Sequence, residues 1–93
     1  MTYAYQIFGV VYTTVKELNG FLDEHRSRFE NMPGLISRRV FFQLEGDVAS
    51  GLYICEDKET AEKIKVIVNE IVEKYEEHIG FTTEFIFKII EKT

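Results

Sequence analysis

The sequence predicts an α+β domain in which one four-stranded antiparallel sheet carries two helices on a single face. Four segments rich in aromatic and β-branched residues bracket two segments whose apolar residues recur at three- and four-residue spacing. Their order is strand, helix, strand, strand, helix, strand, the split βαβ arrangement. Right-handed crossovers place both helices on the same side of such a sheet.

Tyr3 to Tyr12 (YAYQIFGVVY) forms the first strand, with Gly9 marking a bulge or the close approach of another group. Thr14 and Glu17 have the Thr-x-x-Glu spacing of a capping box at a helix start. Asn19-Gly20 interrupts that segment and is the alternative boundary, since glycine costs about 1 kcal/mol against alanine inside a helix. Leu18, Phe21, Leu22, His25, Phe29 and Met32 make one apolar stripe, which predicts a helix running until Pro33-Gly34 stops it. Leu35 to Glu45 and Ala49 to Glu56 are the second and third strands, joined through Gly46-Asp47. Asp57 caps the second helix, whose buried stripe runs through Ala61, Ile64, Val68, Ile71, Tyr75 and Ile79. Glu59–Lys63 and Glu70–Lys74 are spaced to pair along its wet side. Gly80 ends that helix, with His78 in its last turn, and Phe81 to Ile90 is the fourth strand. The whole is a ferredoxin-like βαββαβ chain, expected as a single domain over its 93 residues.

Composition narrows the class of partner. A net charge of −5 disfavours a nucleic-acid backbone or an anionic membrane surface. No apolar run approaches the length of a membrane span, and the N-terminus shows no basic segment followed by an unbroken apolar one. A single cysteine, Cys55, gives no internal disulfide framework and fits a reducing, cytoplasmic setting. Two histidines and one cysteine at positions 25, 78 and 55 have no metal-ligand spacing, and no phosphate loop or Gly-x-Ser-x-Gly elbow is present. Neither metal nor cofactor is expected.

The strands carry more apolar surface than one core needs. Val40-Phe41-Phe42 and Phe85-Ile86-Phe87 are apolar at successive positions, whereas an antiparallel sheet with one wet face should alternate. Large hydrophobes therefore sit on both faces. A bulky ligand or a foreign partner could cover the bare face, but a second copy packed sheet to sheet does so most simply, so a homodimer is expected.

Pro33-Gly34-Leu35-Ile36, the apolar second strand, Ala49-Ser50-Gly51-Leu52-Tyr53-Ile54, then Asp57 with Thr60-Ala61 resemble the YdhR-type mono-oxygenase proteins, which belong with the antibiotic-biosynthesis monooxygenase-like dimeric α+β barrels. The resemblance covers Pro33 to Ile64; outside it only the element order agrees. It implies a dimeric α+β barrel and cofactor-independent oxygenation of a small aromatic compound. Relatives often carry tryptophan near the second strand, and the haem-degrading ones use asparagine, tryptophan and histidine around the porphyrin. This chain has no tryptophan and no asparagine in its first strand, which disfavours haem and keeps a rival open: a non-catalytic dimer that binds a small molecule or regulates.

Candidate chemistry rests on a few side chains. Tyr53 is a hydroxyl donor or a tyrosine of the core or dimer interface, and His25 is a base beneath the first helix or a hydrogen-bonded histidine at the core edge. Arg38 and Arg39 lie on opposite faces of the second strand, so one of them reaches an inner surface to hold an oxyanion, or both guard an edge. Gln6, Phe8 and Tyr12 of the first strand are candidate ligand contacts. An open cavity of a few hundred cubic ångströms reached by at least two of Tyr53, His25 and an arginine favours the enzyme; a solid core favours the rival.

Overall fold

In the computed structural model of the chain, which describes residues 2–43 and 47–90, the expected element order is present. It runs β1 (Tyr3–Val11), α1 (Val15–Glu24), a single 3₁₀ turn (Arg26–Arg28), β2 (Leu35–Gln43), β3 (Val48–Cys55), α2 (Lys58–Lys74) and β4 (Ile79–Lys88). The strands form one antiparallel sheet in the order β2-β3-β1-β4, the ferredoxin-like topology. No helix among the described residues is long and apolar enough to cross a membrane.

The β1–β3 register sorts side chains between the two faces. Tyr5 lies opposite Tyr53, Ile7 opposite Gly51 and Gly9 opposite Ala49. That face meets the helices: Tyr5, Ile7, Tyr53 and Cys55 join Phe29 and the α2 residues Ala61, Ile64, Val68 and Ile71 in one buried cluster. The alternate residues Gln6 and Phe8 pair with Leu52 and Ser50 on the opposite face. Two irregularities adjust the pattern. One extra residue on β2 between Leu35 and Ser37, and one on β4 opposite Gly9–Val11, bulge the edge strands.

Both helix starts form as their sequences direct. The Thr14 hydroxyl accepts from Glu17 N at 3.1 Å and the Asp57 carboxylate from Thr60 N at 2.8 Å. Glu17 bonds Thr13 rather than closing the box back onto Thr14. Gly34 takes φ +88 beside Thr60, and a Cβ there would collide with the Thr60 hydroxyl. The two ends of the Pro33–Ile64 stretch therefore touch, and Glu56 N donates to Gly34 O at 2.8 Å.

Several expectations are corrected. α1 starts at Val15, not after Gly20, and stops at Glu24 rather than continuing to Met32. His25 ends it, and i→i−3 bonds from His25, Arg28 and Phe29 tighten the chain so that Phe29 reaches the core. Packing of one phenylalanine overrides the helical period. α2 stops at Lys74 with Tyr75 as its C-cap, so His78 and Ile79 are not helical and Gly80 lies in β4. Its role is close approach: a Cβ at Gly80 would stand 2.7 Å from the Tyr12 ring. Glu59–Lys63 pair at 3.5 Å, but Glu70 pairs with Arg28 and Lys74 with Glu24, tying α2 to the α1 side. The Gly46 half of the expected turn lies outside the described residues, while Asp47 adopts φ 52.

Gly20 is exposed in α1, and a Cβ added there meets nothing within 4 Å. Gly20→Ala is expected to raise stability by about 0.5–1 kcal/mol in chemical denaturation, through helix propensity and a less flexible unfolded chain.

Candidate functional site

Small residues open a cleft on the helix-facing side of the sheet. Gly9, Ala49 and Gly51 are neighbours across β1 and β3, so the floor there has no large side chains. Neither glycine is idle: a Cβ on Gly9 would lie 3.1 Å from Thr82 Cγ2, and one on Gly51 3.1 Å from Tyr53 Cε2 and 3.3 Å from Ile7 Cγ2. Leu18 and Leu22 of α1 and Val68, Ile71 and Val72 of α2 form the walls around a cleft of ≈ 70 Å³, with Val40 and Tyr53 at its β2–β3 side. The lining is almost wholly apolar.

Tyr53 is the cleft's ionisable group. It is buried, and Arg38 lies directly opposite it on β2. The Arg38 guanidinium stacks 4.4 Å above the Phe29 ring and 6.0 Å from the Tyr53 ring centroid. Its Nε is buried with no hydrogen-bond partner among the described residues. Burial pushes the Tyr53 phenol above its ordinary pKa, and the adjacent guanidinium offsets part of that rise. At neutral pH Tyr53 is therefore a neutral hydroxyl that donates, not a phenolate base.

A second tyrosine extends this row to the other edge of the sheet. Tyr5 packs on Tyr53 with centroids 5.8 Å apart, and its hydroxyl donates to Glu84 of β4 at 2.5 Å. Glu84 also accepts from Asn69 Nδ2 at 3.4 Å and lies 3.5 Å from Lys65 Nζ. Burial first, and then Glu84, drive the Tyr5 phenol far above its usual range. Arg38, Tyr53, Tyr5 and Glu84 thus cross all four strands beneath the helices.

The remaining candidates lie elsewhere. His25 does not line the cleft; its Nε2 is 3.4 Å from the Tyr75 hydroxyl, edge-on to that ring. Arg39 pairs with Leu52 on the opposite face, as does Gln6, whose neighbour across β4 is Phe85. Phe8 is on that face too, 6.1 Å from Phe85, and Tyr12 is an exposed ring over Gly80. Of the three groups named for chemistry, Tyr53 and Arg38 come together and His25 stays apart. The cleft is narrower than a few hundred cubic ångströms, and Tyr53 alone of the three lines it. Among the described residues no three of His, Cys, Asp and Glu group as metal ligands.

No protein-family model matches the chain, and no curated protein does. Solved structures do match along its whole length. SnoaB, a cofactor-independent oxygenase from Streptomyces nogalater, superposes with a TM-score of 0.74 at 8% identity over 98% of this chain and 95% of its own. A candidate antibiotic biosynthesis monooxygenase from Deinococcus radiodurans gives 0.73 at 9% identity over 100% and 96%. A dimeric ferredoxin-like protein from an uncultured marine organism gives 0.69 at 16% identity over 99% and 90%. The chain shares the ferredoxin-like fold of these proteins.

Within that fold, two residues of the row, Tyr5 and Glu84, were not singled out from sequence. Glu84 is the one carboxylate inside the fourth strand, set directly beside the apolar run Phe85-Ile86-Phe87, which is a signal for a buried partner; Tyr5 is that partner. The glycine–alanine floor leaves no such signal, because it depends on register.

Raised phenol pKa values have a consequence with a definite sign. Tyr5 and Tyr53 keep their protons in the folded state at pH values where unfolded tyrosines lose them. Their contribution to stability is complete below the unfolded value, about 10, and falls as pH rises above it. Alkaline difference spectroscopy should show these two phenols ionising above the ordinary tyrosine range, and Tyr5→Phe with Tyr53→Phe should remove that late ionisation.

Proposed function

We propose that this chain is a cofactor-independent monooxygenase-like protein that takes a small aromatic compound into the cleft between the sheet and α1. The observation that carries this reading is the pairing of Tyr53 with Arg38 beside an otherwise apolar cleft. A readily oxidised phenol supplies its own electrons to dioxygen, so the protein need only bind the ring, favour loss of its proton and hold the resulting oxyanion. Arg38, with its unpartnered buried Nε, suits the oxyanion, and Tyr53 suits a donated hydrogen bond to it. The aliphatic walls suit the ring. The oxygenase activity of SnoaB, a protein of the same fold, supports the reading. The finer YdhR-type affinity rests on the Pro33–Ile64 residues. The lone cysteine supports a cytoplasmic setting.

Oxygen uptake with a panel of hydroquinones and anthrones tests it. Turnover is expected with at least one, lowered about tenfold or more by Tyr53→Phe and further by Arg38→Gln, with His25→Ala within about twofold of the parent. Turnover equal to the parent's in both Tyr53→Phe and Arg38→Gln overturns the site; no uptake across the panel overturns the oxygenase reading.

The same fold supports a partner for the opposite face. Phe8, Phe41, Phe85 and Phe87 are 39%, 53%, 43% and 37% exposed there, an aromatic surface uncharacteristic of a lone soluble chain. A second copy packed sheet to sheet is the proposed occupant, as the description of the marine relative as dimeric encourages. Light scattering behind size exclusion should give about twice the mass of one chain. Phe85→Asp should weaken association at least about tenfold, since it buries an unpaired charge; an unchanged dimer identifies the wrong face.

A further inference from the structure

We infer that α1 is the movable wall of the cleft, latched to α2 by an aromatic clasp, and that it swings away to admit an aromatic ring. The inference rests on the proposed site and concerns how that site is entered.

Size sets the problem. An engineered apolar cavity of about 150 Å³ accepts benzene. The present cleft, at ≈ 70 Å³, is about half that, so a phenol is enclosed in it only if a wall retreats. The sheet cannot provide the movement, because β1 and β3 are its hydrogen-bonded centre. α2 buries Thr60, Ala61, Ile64, Val68 and Ile71 and belongs to the core. α1 is different: of its ten residues only Leu18 is buried, and Gly20 weakens the helix itself. Elements with few buried apolar contacts open most readily. Val40, on the helix-facing side of edge strand β2, remains 38% exposed beside it.

What holds α1 is concentrated at its C-terminal end. Phe21 stacks on Tyr75 with centroids 4.2 Å apart and planes 12° from parallel, and lies 5.0 Å from His78. The Tyr75 hydroxyl bonds Glu24 and faces His25, and Lys74 stands 3.7 Å from Glu24. The clasp borders the cleft without lining it, since Phe21 and Tyr75 adjoin the cleft residues Leu22 and, one turn earlier, Ile71 and Val72. Releasing Phe21 frees α1 while leaving the proposed chemistry of Tyr53 and Arg38 in place.

Native-state hydrogen exchange on the full chain reads the opening directly. Amides of residues 18–24 should exchange about tenfold or more faster than those of 64–71, and Phe21→Ala should speed the first set about tenfold more while changing the second less than about twofold. Phe21→Tyr keeps the stack and should restore the parent pattern. Exchange of α1 in step with α2, or equal acceleration of both by Phe21→Ala, overturns the inference. The fluorescence of 1-naphthol supplies the second measurement: its association should be at least about fivefold faster with Phe21→Ala than with the parent. Equal rates, or no association with either protein, also overturn it. Neither readout needs turnover. Absent oxygen uptake with the α1 response intact rejects the oxygenase reading alone, and uptake by a protein whose α1 exchanges with α2 rejects the movable wall alone.

Discussion

Pairing of β1 with β3 is the constraint on which the rest of the molecule depends. Tyr5 opposite Tyr53, Ile7 opposite Gly51 and Gly9 opposite Ala49 set, in one register, the core, the floor of the cleft and the composition of the opposite face. Because side chains alternate with period two, a slip of one residue exchanges the faces. Phe8 and Leu52 would then press on the helices, the tyrosines would face outward, and no run of small residues would lie beneath α1. Gly51 is held in place doubly, by Tyr53 and by Ile7, 3.1 and 3.3 Å from where its Cβ would be.

The edge strands carry the adjustments that the central pair cannot. One extra residue near Ile36 lets Leu35 and Arg38 both face the helices, although an odd spacing separates them. Arg38 consequently reaches Phe29 and Tyr53, and Arg39 points away beside Leu52. On the far edge Glu84 holds Tyr5, with Asn69 and Lys65 of α2 closing around it. A guanidinium and a carboxylate therefore flank two neutral phenols. Burial keeps both phenols protonated, so the charged groups at the ends remain the electrostatic features of the row.

Asymmetry between the helices follows from the same geometry. α2 lies over the large residues of the sheet and takes part in the core, whereas α1 lies near the glycine–alanine floor and touches little. The missing side chains under α1 create the cleft and loosen the helix above it. Phe21 and Tyr75 make up part of that loss at one end, and Arg28–Glu70 ties the following turn to α2. Exposed ion pairs of this sort contribute little, so the aromatic stack is the stronger part of the attachment.

Local chemistry determined much of the fold by itself. Thr14 and Asp57 cap their helices because a side-chain oxygen beside free N–H groups is a short-range matter, and Pro33-Gly34 turns the chain for reasons contained in those two residues. The run of apolar residues on both strand faces was legible for the same reason. Which of Arg38 and Arg39 faces Tyr53 was not, because a one-residue bulge decides it and leaves no periodic trace. The early end of α1 was hidden likewise: the stripe through His25, Phe29 and Met32 fits a helix, but Phe29 reaches the core only if the chain tightens first. Gly80 reads as a helix stop in sequence and proves to be a seat for the Tyr12 ring. The cleft belongs wholly to the tertiary structure, since Gly9, Ala49 and Gly51 become one surface only when distant strands pair, and sequence spacing carries no record of that register.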